Sequence, residues 1–274
     1  GQEPALDENK LYPGVTSFKS PKAGDPNSIV SVHSFNVLTR NQKTIDIGNE
    51  SDIYIPRIRF TQSTDQLAVF RLNRLQNHFE ILLADPSTGY SKVLLSELNK
   101  YYFDETYFDD IQFLNDKKHF IMLSERDGYA HIYLYNMDGT IATQVTKGAY
   151  DVTELNGFDE KNKIIYFTSA EPTPYQREVY SIKFDGSAKK KLSLNTGTNR
   201  ARFNEDFTYY TLTSSSATKP PITILYNTKG KEVRVLSDAS KLNDLLKEYS
   251  FSYREFFNFT TSENVTLNGW ILKP

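Results

Sequence analysis

Acyl transfer on a serine needs an exposed hydroxyl, a histidine base and a carboxylate that orients the base. The chain has four histidines, His33, His78, His119 and His131. Each lies in or beside a run that reads as a β-strand, where an imidazole is a packing residue. No Gly-x-Ser-x-Gly elbow occurs. Ser87, ahead of Gly89, comes nearest, but Asp85 occupies the first glycine position. The histidines lack metal-ligand spacing and no glycine-rich phosphate loop is present. Zero cysteines remove thiolate nucleophiles, disulfides and cysteine-type zinc sites. The chain therefore reads as carrying no catalytic centre, no metal site and no cofactor of its own.

Two other clusters invite a functional reading. Asp104, Glu105, Asp109 and Asp110 are interleaved with Tyr101, Tyr102, Phe103, Tyr107 and Phe108. Such a segment is either a solvated loop whose aromatics pack beneath it, or a ligand-facing loop on a rigid scaffold. Arg71 and Arg74 stand three apart in LAVFRLNRLQN (67–77), a spacing that puts them on opposite faces of a strand. One of them is expected to pair with a carboxylate between neighbouring repeats. The Asn-x-Ser/Thr sites at Asn49, Asn258 and Asn264 occur near the chance rate.

The elements that would position these groups recur. Phe60, Phe113, Phe158 and Phe203 each precede a polar turn and then an apolar run, at 67–70, 120–123, 164–167 and 209–212. A second turn follows each time, with its glycine at Gly89, Gly139, Gly186 and Gly230. Asp138-Gly139 and Asp185-Gly186 are favoured hairpin dipeptides because glycine accepts positive φ. Two hairpins make four strands, and a four-stranded unit of about 40–50 residues is the mark of a β-propeller blade. The prediction is an all-β chain: a partial β-propeller of about four and a half four-stranded antiparallel blades.

In detail, residues 1–28 read as an irregular lead-in rich in Pro and Gly (Pro4, Pro13, Gly14, Pro21, Gly24). Residues 29–48 read as half a blade, and 54–236 as four full blades. Residues 237–274 read as a connector: a helix with Leu242, Leu245, Leu246 and Tyr249 at helical spacing, capped by Ser237 or Ser240, then a hairpin turning at Glu263 and Asn264. The start at Gly1 and the stop at Lys273-Pro274 read as those of an excised segment.

Composition excludes several classes. The net charge is −2 with both signs interspersed, so there is no electrostatic footprint for nucleic acid. No apolar run approaches the length of a membrane-spanning helix. Eighteen Tyr and 18 Phe against two Met suit pleated strands.

SERDGYAHIYLY (124–135) resembles a stretch in the propellers of dipeptidyl peptidase IV-type serine peptidases, of the prolyl oligopeptidase superfamily. LYPGVTSFKSPKAG (11–24), DIYIPRIRF (52–60) and LAVFRLNRLQN resemble the same family in the same order. VTLNGWILKP (265–274) is similar to its passage into an α/β-hydrolase domain. The resemblance makes Ser124, Glu125, Arg126, Asp127, Gly128, Tyr129 and His131 structural motif residues.

It further implies a parent serine peptidase that releases N-terminal X-Pro or X-Ala dipeptides, with its Ser-Asp-His triad in the hydrolase domain. It implies a pair of consecutive glutamates that holds the substrate ammonium; this chain has no such pair. Mammalian members present a Phe-Arg pair toward the substrate. Counting back from Gly128 and Tyr129 lands near Glu105 and Thr106, neither aromatic nor basic, so that pair does not carry over. Tyr102, Phe103 and Glu105 are the substrate-facing candidates instead. The implied partners are a peptide substrate, the hydrolase domain and a second copy of the chain; the implied compartment is the periplasm or another exported location. The rival readings are a non-catalytic propeller that binds protein or glycan, and the propeller of a related oligopeptidase.

Overall fold

In the computed structural model the described residues are 2–5, 11–12, 14–17, 22, 24–249 and 251–273. They divide into two compact units, residues 1–60 with 65–103, and 61–64 with 104–274.

The first unit holds two short ladders and one blade. Gln2–Ala5 pairs antiparallel with Gly14–Ser17, so the stretch expected to be irregular contains an ordered pair; Pro13 and Pro21 lie outside the described residues. Pro4 takes part because a two-stranded ladder has only edge strands, where a missing N–H is tolerated. Val32–Phe35 pairs with Gln42–Ile45, and its Val32 and Ile45 pack against Ile53, Leu67, Val69 and Leu82 of the blade that follows.

That blade is built on Leu67–Asn73, His78–Ala84 and Ser91–Leu98. Its first strand is broken in two, Ile53–Tyr54 and Ile58–Phe60, both paired to Leu67–Asn73. Pro56 lies in the gap and has no N–H to give the ladder.

The second unit contains three blades, each a four-stranded antiparallel meander in sequence order, over 112–144, 152–191 and 198–237. The turn glycines Gly89, Gly139, Gly186 and Gly230 all have φ between 80° and 91°. Each donates its N–H to a carbonyl three or four residues back, at 2.8–2.9 Å. Asp138 and Asp185 tighten these turns by accepting the N–H two residues on, from Thr140 and Ser187.

His131–Asn136 shows why alternation alone misleads. His131, Tyr133 and Tyr135 lie on one face and Ile132 and Leu134 on the other, yet all five are buried. Ile132 and Leu134 pack against Ile165, Phe167, Tyr180 and Ile182 of the next blade. On the opposite face Tyr135 stacks on Phe120 at 4.8 Å. The next interface repeats this, with Tyr166 and Val179 against Ala201, Tyr210 and Leu212.

Past the blades, Ser240–Lys247 is helical, but neither Ser237 nor Ser240 caps it. Ala239 occupies the cap position with φ +58°, and Asp238 Oδ1 accepts the Ser240 N–H at 2.9 Å. Glu255–Thr260 and Thr266–Ile271 form the final hairpin, turning at Asn264 with φ +61°.

The stacked aromatic layer sets a stability expectation. Phe120→Ala removes a fully buried ring held between Phe113 and Tyr135. It should cost about 3–5 kcal/mol in urea denaturation, as Phe-to-Ala core truncations do.

Candidate functional site

His33 Nε2 lies 2.9 Å from Ser31 Oγ, but its Nδ1 faces Gln42 and Thr44 rather than a carboxylate, and His119 Nδ1 lies 2.7 Å from Asp116 in its own turn. His78 Nε2 lies 2.8 Å from Ser96 Oγ and 3.9 Å from Glu80 Oε1. One ring nitrogen faces both groups, so the carboxylate cannot orient the base through the other nitrogen as a triad requires. Glu80 is instead gripped by Arg71, whose Nε and NH2 donate to Oε2 at 2.9 and 2.6 Å. Arg71 and Glu80 are register partners on adjacent strands. The expected inter-repeat ion pair is therefore an intra-blade one, while the Arg71 NH1 donates to the Ile47 carbonyl at 2.5 Å. Arg74 lies past the strand end, 3.7 Å from Asp52. Ser87 donates its hydroxyl to Asp85 at 2.6 Å in its own turn.

His131 is a packing residue. It is fully buried, with Nδ1 3.0 Å from Thr146 Oγ1 and Nε2 2.9 Å from the Gly148 carbonyl. A carbonyl can only accept, so Nε2 carries the hydrogen. Thr146 Oγ1 accepts from the Ile132 N–H at 2.9 Å and gives its own hydrogen to Nδ1. The imidazole thus pins the connector that follows the fourth strand to the third strand. Glu178 occupies the corresponding place one blade on. Its Oε2 accepts from Ser193 Oγ and from Asn199 Nδ2 at 3.2 Å, while Ser193 Oγ accepts the Val179 N–H.

The motif 124–131 forms the hairpin tip before His131. Gly128 N–H donates to the Glu125 carbonyl at 2.9 Å. Its φ of +99° in open space makes glycine a conformational choice. Ser124 Oγ, buried, accepts from Arg126 Nε at 3.1 Å. The Arg126 guanidinium lies 5.1 and 5.4 Å from the Tyr133 and Tyr135 ring centres. Asp127 accepts from Gln144 at 2.6 Å. Tyr129 is partly exposed and 6.5 Å from the His131 ring.

The structure separates the three substrate-facing candidates. Phe103 is buried against Phe79 at 5.8 Å, its N–H on the Gln76 carbonyl. That makes it a packing residue. Tyr102 is exposed, as is Tyr101 beside Lys100. Glu105, also exposed, opens a 3₁₀ turn, Glu105–Asp110, capped by Asp104 through the Thr106 N–H at 2.9 Å. Phe108 anchors that turn in the core.

The residue that ties this turn to the motif is Tyr107. It packs against the core between the second and third blades. Burial, and then the carboxylates of Glu125, Asp104, Asp151 and Asp110, push its hydroxyl up to about 12. Asp151 holds the tip from beneath, accepting the Ala130 N–H at 2.9 Å. In sequence Tyr107 is one aromatic among five, and Asp151 has no motif around it. Only its place after a fourth strand could have marked it. Among the described residues no group of three or more His, Asp or Glu is arranged to hold a metal ion.

A model of the dipeptidyl peptidase IV (DPP IV) N-terminal region matches residues 3–221. The chain belongs to this family. As a family member it is 29% identical over 269 residues to dipeptidyl peptidase 4 of Trichophyton tonsurans, covering 94% of the chain and 34% of that protein. The Trichophyton rubrum enzyme gives 29% over 270 residues, with the same coverage. The chain thus spans about a third of the length of these curated relatives.

The crystal structure of Porphyromonas gingivalis dipeptidyl peptidase 4 superposes over the whole chain with TM-score 0.91 and 42% identity, covering 38% of that structure. A putative dipeptidyl aminopeptidase IV from Bacteroides ovatus has TM-score 0.80 at 23% identity over the whole chain and 41% of its own, a likeness of fold. This dipeptidyl peptidase IV region is accordingly all-β, a partial propeller of four-stranded blades. No helix of its described residues is long and apolar enough to cross a membrane.

The Tyr107 environment yields a pH expectation. Its folded value lies above the unfolded value of about 10, so its contribution to stability is full below pH 10. That contribution is lost as pH rises toward 12. Tyr107→Phe should flatten the fall in urea-unfolding free energy between pH 10 and 12 by one proton's worth, while Tyr166, Tyr180, Tyr210 and Tyr226, also raised by burial, keep contributing to it.

Proposed function

We propose that this chain is the gating and substrate-orienting propeller of a serine dipeptidyl peptidase that releases X-Pro or X-Ala dipeptides. The carrying observation is the 42% identity to the Porphyromonas gingivalis dipeptidyl peptidase 4 structure along the entire chain. Within the second unit, the loop chemistry is consistent with a gate. A rigid buried layer holds the tip at 125–128 and the capped turn at Glu105–Asp110, leaving Glu105 and Tyr129 toward solvent. In the first unit, Tyr102 is the corresponding candidate.

On this reading the triad belongs to an α/β-hydrolase domain, a partner for which the greater length of the relatives leaves room. Its cover would suit the hairpin face opposite the Tyr175–Phe256 stack, where Phe257, Phe259, Leu267 and Ile271 are about half exposed. Where that cover is missing, the same surface favours self-association of the isolated chain. An exported, periplasmic location completes the reading.

The chain alone should give no turnover of Gly-Pro-p-nitroanilide, while the whole protein releases p-nitroaniline; turnover by the chain alone would overturn the assignment. Light scattering at micromolar concentration should show the isolated chain above monomer mass, and a clean monomer would remove the self-association.

A further inference from the structure

A cleft of about 540 Å³ opens in the second unit. Four segments meet there: the loop after the third blade's second strand (Tyr175, Gln176), the entry to the fourth blade (Thr196, Thr198), the end of that blade's second strand (Ser215, Ser216), and the start of the final hairpin (Arg254, Phe256). An adjoining hollow of about 420 Å³ shares Thr196, Ser215 and Ser216 with it. Both volumes fall in the range of small-ligand sites.

The floor is tight. Gly197 has φ +139°, and a Cβ there would run into the Ser215 carbonyl, so connector and hairpin loop meet backbone to backbone. One wall is aromatic: Tyr175 and Phe256 stack at 5.0 Å and 15°, with both rings about half exposed. The other wall is hydroxyl and amide. At its edge the Arg254 guanidinium lies 4.8 Å from the centre of the Trp270 ring. No carboxylate lies within ion-pair distance of Arg254 among the described residues. A guanidinium held over an aromatic face keeps its N–H edges outward, the geometry that receives a carboxylate in a two-pronged bond.

We infer that this cleft binds a carboxylate carried on an apolar or aromatic group, as at the C-terminus of a short peptide. Arg254 takes the carboxylate, Tyr175 and Phe256 take the adjoining side chain, and Gln176 and Thr198 meet the peptide amides. The site is independent of the gate proposed above and does not need a free substrate ammonium.

Trp270 is the sole tryptophan of the chain and touches Arg254, so its fluorescence reports occupancy directly. The test titrates the full chain with N-acetyl-Ala-Ala-Phe, with its C-terminal amide, and with N-acetyl-Phe. The peptide acid should give a saturable change, and the amide should bind at least about tenfold more weakly, as loss of a charged hydrogen-bond partner implies. If N-acetyl-Phe binds as tightly as the peptide, the ligand is a small aromatic acid and the peptide assignment is overturned. Arg254→Met should weaken the peptide acid about tenfold or more, and Tyr175→Ala should weaken acid and amide alike, with far-UV circular dichroism unchanged in both. Equal binding of acid and amide, no change in either variant, or no saturation with the wild-type chain would each overturn the site.

Discussion

The structure depends on sheets stacked face to face. A central strand such as His131–Asn136 is buried on both faces from His131 to Tyr135, so its backbone and imidazole groups rely on partners inside the protein. Burial of an unpaired hydroxyl or imidazole costs about 1–3 kcal/mol, and the blades meet this demand by a repeated device. Thr146 Oγ1 accepts the Ile132 N–H, and Ser193 Oγ accepts the Val179 N–H one blade later. In each case a hydroxyl two residues past the end of the fourth strand takes an N–H of the third. The polar residue just before that N–H, His131 or Glu178, then engages the same hydroxyl.

That constraint explains why the family is recognisable from residues that do no chemistry. Ser124, Gly128 and His131 fix a hairpin tip and tie it to the following connector. Ser124, Ser169 and Ser214 recur at the same place in successive blades, all buried, because a small polar residue suits the point where a second strand leaves the core. Such positions tolerate few alternatives, whereas loop residues such as Tyr102 and Glu105 answer only to what they face.

Legibility in the sequence follows the same division. The turn glycines and the alternating apolar runs are local, and they make the four-stranded repeat legible, although the third and fourth blades begin at Val152 and Thr198, ahead of the phenylalanines that mark them in sequence. Details that depend on a partner far along the chain were hidden. Nothing near Phe103 says that its ring reaches Phe79, so an aromatic in an acidic loop looked ligand-facing. Spacing treats Arg71 and Arg74 as two positions of one strand, but that strand ends at Asn73, and only register reveals that Arg71 lies opposite Glu80. A serine beside a helical pattern suggested a cap; the carboxylate of Asp238 performs that role because Ala239 turns through the left-handed region. The single break in a first strand follows from Pro56, whose effect is legible only when the run around it is known to be a strand.

The final hairpin behaves differently from the blades, and the difference is energetic. A two-stranded ribbon is marginally stable alone, and Glu255–Thr260 and Thr266–Ile271 pair only with each other. Phe256, Phe257, Phe259, Leu267, Trp270 and Ile271 all keep more than two-fifths of their surface exposed, so burial supplies little of the hairpin's order. What anchors it on the blade side is the Tyr175–Phe256 stack. Within the hairpin, Arg254 leans on Trp270 and Lys273 pairs with Glu255 at 2.6 Å. Arg254 and Phe256 both line the cleft, so the position of this ribbon sets the cleft's width. Whatever covers the outer face of this ribbon therefore also tunes the cleft on its inner face, because the two faces share one pair of strands.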